Sequence, residues 1–375
     1  MDNMEVFFFI RLFILIITIL CGYKYSKCPS NKIFLLIPII LLSINEGLRF
    51  GRGTDYNIYY FNYIEIIKGY EVRSNEILFN LLCKLNNIIG FQYQGVIFIM
   101  SLILYVSAAF FLRRHISVIY LALPLFFLFT LEAENLMRWF TAFSFLLIGI
   151  SYLEQKKLKL YLFYSFLSCL FHSGIIVVIP FFLLISFINK PIIKPLPACI
   201  IYLLIYFFFK TRFMLNFVSY MNIFSGMEQF SGYVNNADEW LTGTANYISQ
   251  KPNIGTIIID LIIMKLGYEL LRLRKHLIYY YNLCIIGTIL SPALYQIEIL
   301  YRINLLFKLF QFIIVAYSIS SFVLKKENFQ INSILTLILV FNLIRIHIIN
   351  ILIKPYTPNS YLYIWDKMGR EYLFI

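Results

Sequence analysis

The chain has 375 residues, 61% of them hydrophobic and 19% aromatic against only 14% charged, so a soluble core cannot enclose its apolar side chains and an integral membrane protein is expected. The formal net charge of +13 comes from short basic clusters between apolar runs, which suits membrane orientation and excludes a nucleic-acid-binding stripe. The six cysteines show no CxxC spacing and there is no Walker or Rossmann glycine pattern, so no disulfide framework, metal or cofactor is expected.

Apolar runs of roughly 17 to 25 residues suffice to cross a hydrocarbon layer about 30 Å thick. They predict spans at 5–23, 33–50, 93–112, 116–131, 138–154, 160–188, 195–210, 254–271, 277–297, 303–324 and 331–350. The first follows Met-Asp-Asn-Met-Glu, which lacks a basic leader, and it is expected to remain as an uncleaved span. The helix from Asn75 to about Gly90 is too short and polar for a confident span and reads as interfacial or partly re-entrant. The positive-inside rule makes Lys24/Lys27/Lys32, Arg113/Arg114, Lys156/Lys157/Lys159, Arg272/Arg274/Lys275 and Lys325/Lys326 cytoplasmic.

That assignment places 51–75, the 132–137 turn, the large loop 211–252 and the tail 351–375 outside. Parity then requires 160–188 to enter and return as a broken helical hairpin, with its break at His172-Ser173-Gly174. The expectation is an all-α polytopic helical bundle of about 11–12 membrane segments, forming a single membrane domain over 1–375.

Candidate chemistry gathers on the outer side. Glu46, Arg49 and Arg52 follow one another at spacings of three, and ionisable groups at a membrane edge need partners. The two arginines serve either as headgroup anchors or as forked phosphate ligands, with Gly51 and Gly53 allowing close backbone approach. Asp55 is either the N-cap of an interfacial helix or a ligand for a sugar hydroxyl. Tyr56, Tyr59, Tyr60 and Tyr63 share one helical face, either as an aromatic belt or as a sugar platform.

Further along, Glu76 falls in a first helical turn, where the helix dipole favours a carboxylate. Glu134 and Arg138 are spaced for an i, i+4 pair. His172 lies deep in an apolar run at the expected break, either as a satisfied core histidine or as a proton-transfer group. Trp240, with Tyr220, Tyr233, Asp238 and Glu239, gives the 211–252 loop the faces for stacking sugars, or makes it an interfacial lid. Arg302 opens a later span on the outer side, so an outer cavity rich in arginine would suit an anionic group such as a lipid pyrophosphate.

Arg52-Gly-Thr-Asp55-Tyr56-Asn-Ile-Tyr59 resembles the R-x-x-DY-xx-Y element of the EpsG-type family of Wzy-like polysaccharide polymerases. Asn75-Glu76 with Leu78 and Phe79, Leu136-Met-Arg138 with Ala142, Phe171-His172-Ser173, Tyr301-Arg302 and Lys354-Pro355-Tyr356 follow in the family's order over nearly the whole chain. Two elements depart: Trp139 follows Arg138 where the family often has glutamine, and Gly174 directly follows Ser173.

The resemblance implies a GT-C-like membrane glycosyltransferase, metal-independent, in a bacterial cytoplasmic membrane with its active site facing the exterior. Its substrate would be a polyprenyl-pyrophosphate-linked oligosaccharide, with a chain-length regulator as an optional partner. It implies Arg49, Arg52, Arg138 and Arg302 as pyrophosphate ligands, Asp55, His172 and Glu76 as candidates for the base, and Tyr56, Tyr59 and Trp240 as glycan contacts. A ligase using the same donor needs nearly the same equipment. A flippase or transporter is the more distant alternative, and the expected repeat symmetry between halves is not visible.

Overall fold

The computed structural model describes residues 3–53, 55–70, 72, 75–208, 253–295, 298–323, 330–352 and 363–365. The described residues are helical apart from turns and an isolated antiparallel bridge between Arg49 and Tyr363. Among them, Glu5–Lys27, Gln92–Phe129, Lys275–Leu294 and Ile299–Phe322 are long and apolar enough to cross a membrane, and several shorter apolar helices accompany them. The chain is thus a polytopic helical membrane protein. The chain groups into two compact units, Met1–Ile179 with His347–Ile375, and Pro180–Ile346.

The first unit contains α1 (Asn3–Lys27), α2 (Ile33–Gly47), α3 (Tyr56–Ile67), α4 (Ile77–Ile89), α5 (Gln92–Leu112), α6 (Ile119–Phe129), α7 (Met137–Leu153) and α8 (Leu158–Phe171). Helix α7 is buried nearly all round and packs on α5 and α8, as expected of a helix apolar on every face. Helix α1 does the opposite. Phe7, Arg11, Ile14 and Thr18, at helical spacing, turn inward, while Phe9, Phe13, Ile16 and Leu20 stay exposed as a lipid-facing stripe.

Helix polarity separates the two ends of this unit. Arg11 in the first half of α1, Glu46 at the end of α2 and the turn Leu131–Glu134 meet at one end. Lys24 and Lys27 in the last turn of α1, and Arg114 paired with Glu154 at 3.1 Å, occupy the other. Helix α4 shows an apolar outer face, Leu81, Leu85 and Ile88, and buries Phe79, Cys83 and Asn86. It stops at Gly90, whose φ of 85° is the left-handed cap that glycine adopts at least cost.

Helix α8 breaks where the sequence suggests. His172 is extended, at φ −152° and ψ 109°, between α8 and a tight turn over Ser173–Val177.

The second unit holds α9 (Ile179–Ser186), α10 (Pro195–Phe208), α11 (Ile254–Leu273), α12 (Ile278–Leu294), α13 (Glu298–Leu309), α14 (Gln311–Val323) and most of α15 (Gln330–Leu352). Helix α12 packs against α10, α13 and α14, and α11 packs against α14. Asp260, fully buried in α11, accepts hydrogen bonds from Tyr202 (3.0 Å), Lys308 (2.8 Å) and Gln311 (2.9 Å), so its charge is neutralised inside the bundle. Asn282 clamps the connection before α10 by donating to Lys190 O and accepting from Ile192 N, each at 3.0 Å.

Candidate active site

Five charged side chains from four segments converge in the first unit. Arg11 comes from α1 and Glu46 from α2. Arg49 and Arg52 come from the loop after α2, and Glu134 from the turn before α7. Arg11 Nη2 donates to Glu134 Oε1 at 3.1 Å, and Arg52 Nε stands 3.3 Å from Glu134 Oε2. Glu46 lies at 3.8 to 3.9 Å from all three arginines and accepts from Asn45 Nδ2 at 3.0 Å. Arg49 and Arg52 are each 1% exposed, so they are withdrawn from bulk solvent.

Aromatic rings line the cage. The Arg11 guanidinium sits 4.5 Å from the Phe7 ring and 5.0 Å from Phe127, and that of Arg52 lies 4.8 Å from Phe7 and 5.2 Å from Tyr363. Tyr363 is fixed in turn by its hydroxyl donating to Asn45 Oδ1 (3.1 Å) and by Ile364 N donating to Leu48 O (3.0 Å). Gly53 makes the approach possible. At φ +100°, with a Cβ position only 2.7 Å from Asn135 Oδ1, no larger residue fits without displacement.

Three guanidinium groups face two carboxylates, leaving one excess positive charge. Arg49 Nε and Nη1 and Arg11 Nε make no hydrogen bond among the described residues. A cavity of about 20 Å³ opens beside Arg11, Glu46, Arg49, Tyr105, Thr130 and Glu134, room for about one water. Burial pushes the Glu134 carboxyl upward, but Arg52, Arg11 and Arg49 outweigh it and hold the group below the usual carboxylate range. The cage thus combines buried guanidinium N–H groups with room for about one water.

A second cluster brings α4, α7 and the break after α8 together. Glu76 occupies the N-cap position of α4 but does not cap the helix. Its Oε2 accepts from Arg138 Nη1, and its Oε1 lies 2.9 Å from His172 Nδ1. The Arg138 guanidinium rests 4.9 Å from the Tyr59 ring and 5.3 Å from Phe79. Trp139 meets His172 edge to face at 5.4 Å, and Trp139 Nε1 and Arg138 Nε make no hydrogen bond among the described residues. The His172 side chain is 20% exposed against 5% for Glu76, making the imidazole the accessible member.

The EpsG family model matches residues 32–358. The chain belongs to the EpsG family. No curated protein and no solved structure matches it. The family is that of Wzy-like polysaccharide polymerases, so a polysaccharide polymerase-type function follows. The EpsG match takes in Glu46, Arg49, Arg52, Glu76, Glu134, Arg138 and His172, while Arg11 and Tyr363 of the cage lie outside it.

The structure distributes the residues expected for an EpsG site over both clusters and beyond them. Arg49 and Arg52 sit in the cage, and Arg138, Glu76 and His172 form the second cluster. Asp55 holds the N-cap position of α3 without a side-chain hydrogen bond to that helix. Arg302 belongs to α13 in the second unit, and Trp240 and the 211–252 loop lie outside the described residues.

Tyr56 and Tyr59 depart from an open platform for sugars. They are 3% and 5% exposed, and Tyr56 and Tyr63 pack around Tyr93 with ring centroids 5.3 and 5.8 Å away. Burial pushes the Tyr56 phenol up to about 12, and its oxygen accepts from Gln94 Nε2 at 2.9 Å. The spacing that marks one helical face marks an inward face here.

Glu134 does not form the expected i, i+4 pair. Leu136, at φ −98° and ψ 44°, breaks the helix between Glu134 and Arg138, so each turns to a different cluster. Arg11 is absent from the sequence-based candidates, although a lone charge inside an apolar first span signals such a role. Among the described residues no three His, Cys, Asp or Glu side chains come together as metal ligands.

Proposed function

We propose that the chain polymerises polyprenyl-pyrophosphate-linked oligosaccharide repeat units at the outer face of the cytoplasmic membrane. The observation that carries this reading, beyond membership of the EpsG family, is the presence of a buried, cation-excess arginine cage and of a histidine 2.9 Å from a carboxylate in the same compact unit.

In this mechanism a hydroxyl at the non-reducing end of the acceptor unit attacks the anomeric carbon of the donor sugar. The bond from that carbon to the pyrophosphate oxygen breaks, and its electron pair leaves with the lipid pyrophosphate. Glu76 is an acceptor when ionised, so it fixes the proton of His172 on Nδ1 and leaves Nε2 to take the hydroxyl proton. Arg49 and Arg52, together with Arg11, stabilise charge developing on the leaving group. Arg138 holds Glu76 and keeps Nε for an anionic oxygen. Asp55 and Arg302 remain further candidates for substrate contact, as does Trp240 for the glycan.

The purified protein in liposomes, given lipid-linked repeat units, should lengthen them without an ion gradient. Product that stays at one unit would overturn the reading, and gradient-dependent movement of unchanged lipid would indicate a transporter. A deletion strain separates the ligase alternative: loss of a polymerase leaves one repeat unit on the final acceptor, whereas loss of a ligase leaves the acceptor bare.

A further inference from the structure

The tail segment Tyr363-Ile364-Trp365 is tied to the cage at three points: the Tyr363 hydroxyl on Asn45, Ile364 N on Leu48 O, and the Tyr363 ring against the Arg52 guanidinium. Tyr363 is 1% exposed. Trp365 stacks on it at 4.5 Å with the planes only 14° apart, yet remains 51% exposed. An indole is therefore held in a fixed orientation by a buried neighbour, with much of its surface open.

We propose that Trp365 is a glycan-binding platform for the lipid-linked oligosaccharide. The identity of this ligand rests on the polymerase reading. The apolar faces of sugar rings stack on a rigid indole at little entropic cost, since the tail contacts have already ordered it. Tyr56 and Tyr59 are buried and leave this role open.

With Arg52 taken as a pyrophosphate ligand, the proposal extends to which sugar is gripped. The Arg52 guanidinium lies 5.2 Å from the Tyr363 ring, and the indole stacks 4.5 Å from that same ring, so Trp365 is linked to Arg52 through Tyr363. On this reading a sugar on its open face is a later unit of the chain rather than the one bonded to the pyrophosphate. Trp365 acts on substrate retention and product length rather than on departure of the leaving group.

The competing role for an exposed tryptophan is an apolar anchor in the membrane interface, and leucine separates the two. Trp365→Phe and Trp365→Tyr should keep long polymer. Trp365→Leu and Trp365→Ala, inserted at normal levels, should shift the ladder to shorter chains and raise KM for the lipid-linked repeat unit roughly five- to tenfold with kcat unchanged.

The second measurement uses protein in nanodiscs and the soluble repeat-unit oligosaccharide released by mild acid from the producing strain's own lipid-linked pool. The fluorescence difference between wild type and Trp365→Phe should show saturable quenching on titration. Wild-type ladders from Trp365→Leu, or no quenching assignable to Trp365 in a protein that polymerises, would overturn the proposal. Quenching in a protein that lengthens no lipid-linked substrate would leave the glycan site standing and remove the polymerase reading instead.

Discussion

His172 Nδ1 lies 2.9 Å from Glu76 Oε1, while the other oxygen of the same carboxylate takes Arg138. The carboxylate thus lies between an imidazole at a helix break and a buried guanidinium. His172→Ala should lower chain elongation by about 10²- to 10⁴-fold while the protein still inserts. Elongation by proteoliposomes checks this, and a rate near that of wild type would remove His172 from the role of base.

Glu76→Gln keeps the shape but removes the charge that faces both Arg138 and His172. Elongation should fall, and its pH profile should change, because the amide no longer fixes the imidazole tautomer. A profile identical to wild type at reduced rate would show that Glu76 acts only through packing.

Arg52→Ala leaves Glu134 and Glu46 buried with less compensating charge, at a cost of about 3–5 kcal/mol in stability. The double variant Arg52→Ala with Glu134→Ala should recover part of the melting temperature without recovering long polymer. Recovery of both would make the cage a structural element only.

Acid should loosen the cage through Glu134. Its carboxyl is held below the ordinary value of about 4.3, so the stabilisation is fully present above that pH. It is lost as pH falls through the lower folded value. Glu134→Gln should flatten the melting temperature over that acid window, and an unchanged slope would contradict the assignment.

Gly53→Ala forces a Cβ against Asn135 and to 3.0 Å from Glu134 O, in addition to the strain of φ +100°. Gly69→Ala, at φ +90° with nothing within 4 Å, carries backbone strain alone, about 1–2 kcal/mol. Melting temperature and polymer length should fall further for Gly53→Ala than for this control.

In the second unit, Asp260→Ala should destabilise the fold by about 3–5 kcal/mol, since it strands Lys308. Adding Lys308→Met should restore much of that stability together with polymer formation. Restored stability without polymer would give the pair a part in the reaction.

The helices were largely legible because lipid exposure demands long apolar runs, and a break at His172 coincides with the His-Ser-Gly step inside one such run. The EpsG resemblance was legible in the order of short motifs. The tyrosine face was visible by its period, but period does not say which way a face turns, and Tyr56 and Tyr59 turn inward.

Local spacing also failed at Glu134 and Arg138, where one non-helical residue, Leu136, cancels the i, i+4 geometry. Partner choice among Arg11, Glu46, Arg52, Glu134 and Tyr363 depends on segments far apart in sequence. Composition and hydropathy alone determined a helical membrane chain with charges concentrated at helix ends, because the cost of burying charge in hydrocarbon acts residue by residue. Which charges share a carboxylate, and that the tail presents Trp365 beside the cage, emerged from long-range packing, because pairing energies arise only once distant helices meet.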